Sequence, residues 1–202
     1  MNKTDLNKKQ KKDALLNTAF ELFTSQGINK TTINNIVEAA GVAKGTFYLY
    51  FRDKYDIRNK LIAHKASHIF SIADAALAET DLTELEDRII FLADNIIGQF
   101  NADKSLLNFI SKNLSWGIFK SELISSSDDS DVNFYNIYEN LEHSPRAFRD
   151  PEILLFMIVE LVSSTCYSSI LYSEPTDIES FKPFLFDAIR QLIKSQELRA
   201  AE

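Results

Sequence analysis

The sequence predicts an all-α protein built as a three-helix head, residues 1–53, and a larger helical body, residues 54–202, with about nine helices in all. Three observations carry this reading. Apolar residues recur at steps of three and four along most of the chain, and no stretch shows the alternation of a half-buried strand. Only 5 Gly and 4 Pro interrupt 202 residues, which leaves long runs free to be helical. Hydrophobic residues make up 45% of the chain, enough for a real core and too many for whole-chain disorder.

The first helix is expected over Lys8–Gln26, with Leu15, Leu16, Ala19, Phe20 and Phe23 on one face and Gly27 as its stop. Thr32 stands where the N-cap of a second helix belongs, and Ile33, Ile36, Val37 and Ala40 give that helix its buried face. Gly41 turns the chain, and Val42 plugs the angle that results. Lys44 to Phe51 forms the third helix, with Phe47 and Phe51 four residues apart and turned inward. Asp53 caps a long fourth helix reaching about Glu79, a span of roughly 39 Å that would link head to body.

In the body, Leu85, Ile89, Ala93, Ile96 and Phe100 mark one helical face, and Leu106, Phe109 and Ile110 belong to a shorter segment. A helix is expected from Leu114 to Ile124, then a Ser/Asp-rich loop over Ser125–Asp131, then a helix through Phe134 and Leu141 that stops near Pro145. Residues 152–172 are apolar almost all round and so must be covered on every side. Phe181, Leu185, Ala188, Ile189 and Leu192 set the apolar face of a last helix, about 178–197. These last two helices are the natural candidates for the interface of a homodimer, packed as a four-helix bundle about a two-fold axis with Leu185 and Ile189 on the apolar face; the other reading is that both are core helices of a monomer.

Bulk properties narrow the function classes. A single cysteine, Cys166, excludes an intramolecular disulfide framework and fits a reducing compartment. The polar, lysine-rich N-terminus is no secretory signal, and the most apolar run, Ile153–Val162, is about half of what a membrane span needs. A cytoplasmic protein with no membrane partner is expected. The net charge of −7 conceals a partition. Residues 1–65 carry 12 Lys and Arg against 6 Asp and Glu, net +6, whereas residues 66–202 carry 10 against 23, net −13. A basic head on an acidic body steers the head toward phosphate.

The segment Thr31–Ile57 reads as two short helices about a tight Gly turn, the arrangement that lets a second helix enter a DNA major groove. Its residues Ala40-Gly41-Val42, Lys44-Gly45-Thr46-Phe47-Tyr48, Tyr50-Phe51 and Lys54 resemble the N-terminal domain of the TetR family of transcriptional regulators. Counting the first helix, the resemblance covers about 50 residues; the rest matches only in length and helical character. It implies a homodimeric repressor bound to a palindromic operator in double-stranded DNA and released by a small, largely apolar molecule.

The candidate DNA-binding residues are Thr32, Lys44, Gly45, Thr46, Tyr48, Tyr50 and Lys54. Gly45 lets backbone approach a phosphate or base edge, and Lys44 supplies charge. Thr46 offers a hydroxyl and a methyl for thymine. Tyr48 and Tyr50 combine a flat ring with a phenol that reaches a phosphate, and Lys54 would stand beside exposed amides as part of an anion site. Three positions depart from the family pattern: Ala43 where a capping Ser is frequent, Asn35 in place of an acidic residue, and Val37 in place of Ala.

The body is rich in aromatic residues able to line an apolar pocket, and Trp116, Phe119 and Tyr138 are the candidate walls, with His64 a candidate ligand contact on the fourth helix. His64 and His68 lie four apart beside Ile57, Leu61 and Ile72 and are expected to be partly buried; with no third ligand in fixed relation to them, no metal site is assigned. No Gly-rich phosphate loop, His-Glu-x-x-His or G-x-S-x-G element occurs, so neither a cofactor nor an enzyme is expected. The alternative within DNA binding is an architectural or division-linked factor without an inducer.

Overall fold

The computed structural model describes residues 3–113, 116–117 and 147–198. Among these residues there are eight helices and no strand beyond one isolated bridge between Phe148 and Glu197. The helices are α1 (Lys3–Ser25), α2 (Ile33–Ala39), α3 (Lys44–Tyr50), α4 (Lys54–Ala78), α5 (Leu85–Ala102), α6 (Lys104–Asn113), α7 (Pro151–Tyr172) and α8 (Ile178–Gln196). The chain forms two compact units, Met1–His64 and Lys65–Glu202, so the division falls inside α4. The expected helix at 114–124, the loop at 125–131 and the helix through Phe134 lie largely outside the described residues.

In the first unit, Leu15, Leu16, Ala19 and Phe23 of α1 are buried together with Ile36 and Val37 of α2, Phe47 and Phe51 about α3, and Ile57 and Leu61 of α4. Both turns in this unit use glycine at positive φ, +85° at Gly27 and +65° at Gly41, a region costly for other residues. After α2 the amides of Gly41 and Val42 donate to the carbonyls of Glu38 and Val37, the paired bonds of a Schellman cap. Asp53 caps α4 by accepting from the amides of Tyr55 and Asp56. α1 begins at Lys3 rather than Lys8, because Lys, Gln and Leu favour helix and Asp5 suits a first turn.

In the second unit α7 packs on α5, α6 and α8, and α8 on α5. Ile89, Ile96 and Phe100 of α5, Leu154, Ile158 and Val162 of α7, and Leu185, Ile189 and Ile193 of α8 are buried in this unit. Two ion pairs tie α5 to α8: Lys182 to Asp94 at 2.9 Å and Arg190 to Asp87 at 3.3 Å. Asp150 and Asp177 cap α7 and α8 by accepting from the amides of Ile153 and Ser180.

Three expectations need correction. Leu185 and Ile189 face the chain's own core, and the exposed apolar side chain on that stretch of α8 is Phe184. Burial follows the inner stripe Ile178, Leu185, Ile189, Ile193, one step around the helix from Phe184 and Ala188. His64 and His68 are exposed, since the inward stripe of α4 runs through Ile62, Ala66, Ile69, Ala73 and Leu77. Finally, α7 holds an 18-residue window of mean hydropathy 1.8, so by length and composition alone it could cross a membrane, although its buried residues, among them Leu154, Ile158 and Val162, belong to the core of the second unit.

Candidate nucleic-acid interface and apolar cavity

α3 is a short helix with a strict division of labour. Phe47 and Phe51 point inward, their ring centroids 5.4 Å apart. Lys44, Gly45, Tyr48 and Leu49 form the opposite, exposed face, with Tyr48 53% and Leu49 78% exposed. Tyr48 is held edge-on against Phe47 at 5.5 Å, so its ring is positioned by the core while its phenol faces out. Thr46 and Tyr50 flank this face and are half-buried. Sequence reasoning missed Leu49; its signal was an apolar residue two positions from each inward Phe, hence on the outer side of the helix.

Gly45 has no structural excuse for lacking a side chain. Its φ is not positive, and a Cβ placed on it would meet nothing within 4 Å. Glycine in a helix interior costs up to about 1 kcal/mol relative to alanine, so the fold gains nothing from it here.

The remaining candidates, the exposed Thr32 and the half-buried Lys54, are tied into the head by hydrogen bonds of their own. Thr32 forms a capping box: its hydroxyl accepts from the Asn35 amide at 3.2 Å, and Asn35 Oδ1 accepts from the Thr32 amide at 2.9 Å. Asn35 thus performs with an amide oxygen the reciprocal cap that an acidic residue would give. Ala43 provides no side-chain cap for α3. Lys54 is turned away from any helix-end amide. Its ammonium donates to the carbonyls of Ile28, Asn29 and Thr31, at 3.1, 3.4 and 3.3 Å, so it clamps the α1–α2 loop. The buried Thr31 locks the same loop by donating to the Gly27 carbonyl at 2.9 Å.

Asp56 anchors the junction of α3 and α4. Its carboxylate accepts from the Arg52 amide at 2.8 Å and pairs with Lys60 at 3.3 Å. Burial pulls its pKa upward, but the Arg52 hydrogen bond and the charges of Lys60 and Arg52 prevail and hold it below its ordinary value. Lys60 in turn donates to the Tyr50 carbonyl at 3.0 Å, which fixes the end of α3.

This geometry coincides with a family match. The model of the "Bacterial regulatory proteins, tetR family" covers residues 15–61, from the first buried residue of α1 to Leu61. The head is thus similar to the DNA-binding segment of the TetR family. The HTH-type transcriptional regulator AcrR of Shigella flexneri is 30% identical over 80 residues, which is 40% of this chain and 34% of that protein. The chain thus spans half or less of the length of the curated relatives it matches first. In fold, a Shewanella sp. PV-4 structure assigned to the tetR family superposes with a TM-score of 0.69 at 18% identity, covering 94% of this chain and 99% of that one. The transcriptional regulator FadR of Bacillus subtilis, solved with stearoyl-CoA, gives 0.62 at 16% identity over 87% and 96%. The TetR-like all-α fold therefore extends over the body as well as the head.

Within the body lies an apolar cavity of about 90 Å³. Ile69 and Phe70 of α4, Leu92, Ile96 and Phe100 of α5, and Ile158 and Val162 of α7 contribute walls. Ser111 and Ser163 are its hydroxyl-bearing members. His64 and Trp116 do not line it. Trp116 instead packs edge-on against Phe156 at 5.1 Å and donates to Glu152 Oε1 at 3.4 Å. Phe119 and Tyr138 lie outside the described residues. Cys166 is buried, and that burial pushes its thiol up to about 11, so it stays protonated and packs as a small apolar side chain.

Proposed function

We propose that this chain is a cytoplasmic, homodimeric transcriptional repressor whose two heads read the halves of a near-palindromic operator and whose body releases the DNA on binding a slender apolar molecule. The observation that carries the reading is the outward face of α3. A lysine, an exposed tyrosine and leucine, and a glycine with no intrachain reason for its bare backbone together suit a phosphate, apolar base edges and close approach. Lys44 would meet phosphate, Tyr48 a phosphate or base, and Leu49 a thymine methyl. Thr46 and Tyr50 would touch the rims of the groove, while Thr32 and Lys54 would act by setting the angles of α2 and the α1–α2 loop.

Two features support the rest. On α7 and α8, Ile153, Phe156 and Phe184 remain exposed although the helices are otherwise apolar, as a face covered by a second copy would be. The cavity is small and lined almost wholly by apolar side chains, most of them aliphatic, which suits a hydrocarbon chain. A structural neighbour of the same fold was solved with stearoyl-CoA, so an acyl chain is the ligand class to try first.

The test is a duplex enriched by the purified chain from random-sequence DNA, titrated with and without long-chain fatty acids and their thioesters. Specific binding relieved by an acyl compound supports the whole reading. Specific binding indifferent to every acyl compound removes the ligand class, and failure to enrich any sequence removes the DNA-binding function.

A further inference from the structure

We propose that the amino-terminal part of α1 is a second DNA-contacting element, in which Lys8, Lys9 and Lys11 grip the phosphate backbone beside the half-site read by α3. The inference rests on the DNA-binding reading above and adds to it a contact outside the segment that matches the family.

The stripe of α1 that enters the head's core runs Leu15, Ala19, Phe23, in steps of four. Traced back by helical steps, the same stripe continues onto Lys12 and Lys8. The helix therefore outruns the core it serves, and lysine replaces the apolar residues where it does so. A helix that had only to complete the head could begin near Asp13, yet α1 starts at Lys3. From Leu15 back to Lys8 is about 10 Å along the axis, a distance of roughly three phosphates on one DNA strand.

The charge of this stretch is one-sided. Residues 3–13 hold five lysines, at 3, 8, 9, 11 and 12, against two acids, Asp5 and Asp13. Lys8, Lys9 and Lys11 are exposed, and among the described residues none of the three pairs with a carboxylate. Lys54, Lys60 and Arg52 of the head are by contrast each engaged by a carbonyl or by Asp56, whereas Lys44 of α3 is left exposed as Lys8, Lys9 and Lys11 are. Lysines kept free on an ordered scaffold, in the basic half of an otherwise acidic chain, are complementary to a polyanion. The proposal uses the ammonium groups, which act on phosphate without reading sequence, so the extension would add affinity and register rather than specificity.

The test compares the full chain with the triple variants Lys8→Gln/Lys9→Gln/Lys11→Gln and Lys8→Arg/Lys9→Arg/Lys11→Arg. The probes are the enriched duplex trimmed to its protected core and the same duplex with added flanks. The Gln variant is expected to lose tenfold or more in affinity for the flanked duplex at low salt, and its log-affinity against log-salt slope to flatten by about 0.9 for each phosphate contact removed. The Arg variant should bind as the wild type does, and the trimmed duplex should narrow the difference between Gln variant and wild type. Helicity and thermal unfolding of the variants should match the wild type, since the replaced groups are exposed. Wild-type binding with an unchanged affinity and slope in the Gln variant would overturn this inference and leave the α3 reading intact. A wild type that enriches no duplex would overturn both.

Discussion

The ammonium of Lys54 lies 3.1 Å from the carbonyl oxygen of Ile28, across 26 residues of sequence. With its further bonds to the carbonyls of Asn29 and Thr31, this lysine holds the loop that sets α2, and hence α3, against α1. Lys54→Met is therefore expected to cost the head about 2 kcal/mol, the scale of hydrogen bonds to a charged group, in denaturant unfolding followed by circular dichroism. DNA affinity should fall with it. Weakened DNA binding at unchanged stability would instead place Lys54 on a phosphate.

Gly45 yields a prediction of opposite sign in two assays. Gly45→Ala should raise head stability by up to about 1 kcal/mol, because the new methyl meets open space. Operator affinity should drop at least tenfold if, as proposed, the DNA backbone enters that space. A variant that gains stability and keeps full affinity would show that nothing approaches α3 at this point.

The two helices of the expected interface separate two kinds of apolar residue. Phe184→Glu should lower the dimer fraction in sedimentation equilibrium and leave the monomer folded, since Phe184 is 72% exposed. Leu185→Glu should instead unfold the second unit by about 4 kcal/mol or more, as a charge buried without a partner does. Equal effects from the two variants would contradict the placement of this face.

Asp56 makes the head sensitive to acid in a defined direction. Its carboxyl is held below its ordinary value in the folded chain, so the unfolded state binds the proton more readily. The stabilisation is then fully present above the ordinary value and is lost as pH falls through the lowered, folded-state value. Asp56→Asn should remove that acid-side slope and lower stability at neutral pH, as measured by unfolding midpoints across pH. An unchanged pH profile would mean that the Arg52 and Lys60 contacts contribute nothing.

What the sequence revealed and what it hid divide along the range of the interactions. Gly27, Gly41, Asp53 and the inward Phe47 and Phe51 were legible because each follows from contacts within a turn or two of its own position. The cap at Thr32 was legible too, but Asn35 read only as a departure from the family pattern, and the structure shows its amide oxygen completing the capping box. The loop carbonyls that Lys54 bonds were not legible, because they sit more than twenty residues away and nothing in the local sequence announces them. In the body, periodicity told which residues turn inward but not which face each stripe meets. It therefore set Leu185 and Ile189 between subunits when they close the core of one. The cavity was harder still. Aromatic content suggested Trp116 as a wall, whereas the space is framed mostly by aliphatic residues of α4, α5 and α7. A void depends on how the side chains of several helices fail to meet, and no single helix encodes that.

The central claim is that the exposed face of α3 reads DNA, and fluorescence anisotropy of the enriched duplex with wild type and Lys44→Ala/Tyr48→Ala tests it most directly. Both side chains are exposed, so the double variant should keep its helicity and oligomeric state while specific affinity falls by about two orders of magnitude, on the scale of one to three kcal/mol for each good contact. A double variant that binds the duplex as tightly as the wild type would show that this face does not carry recognition.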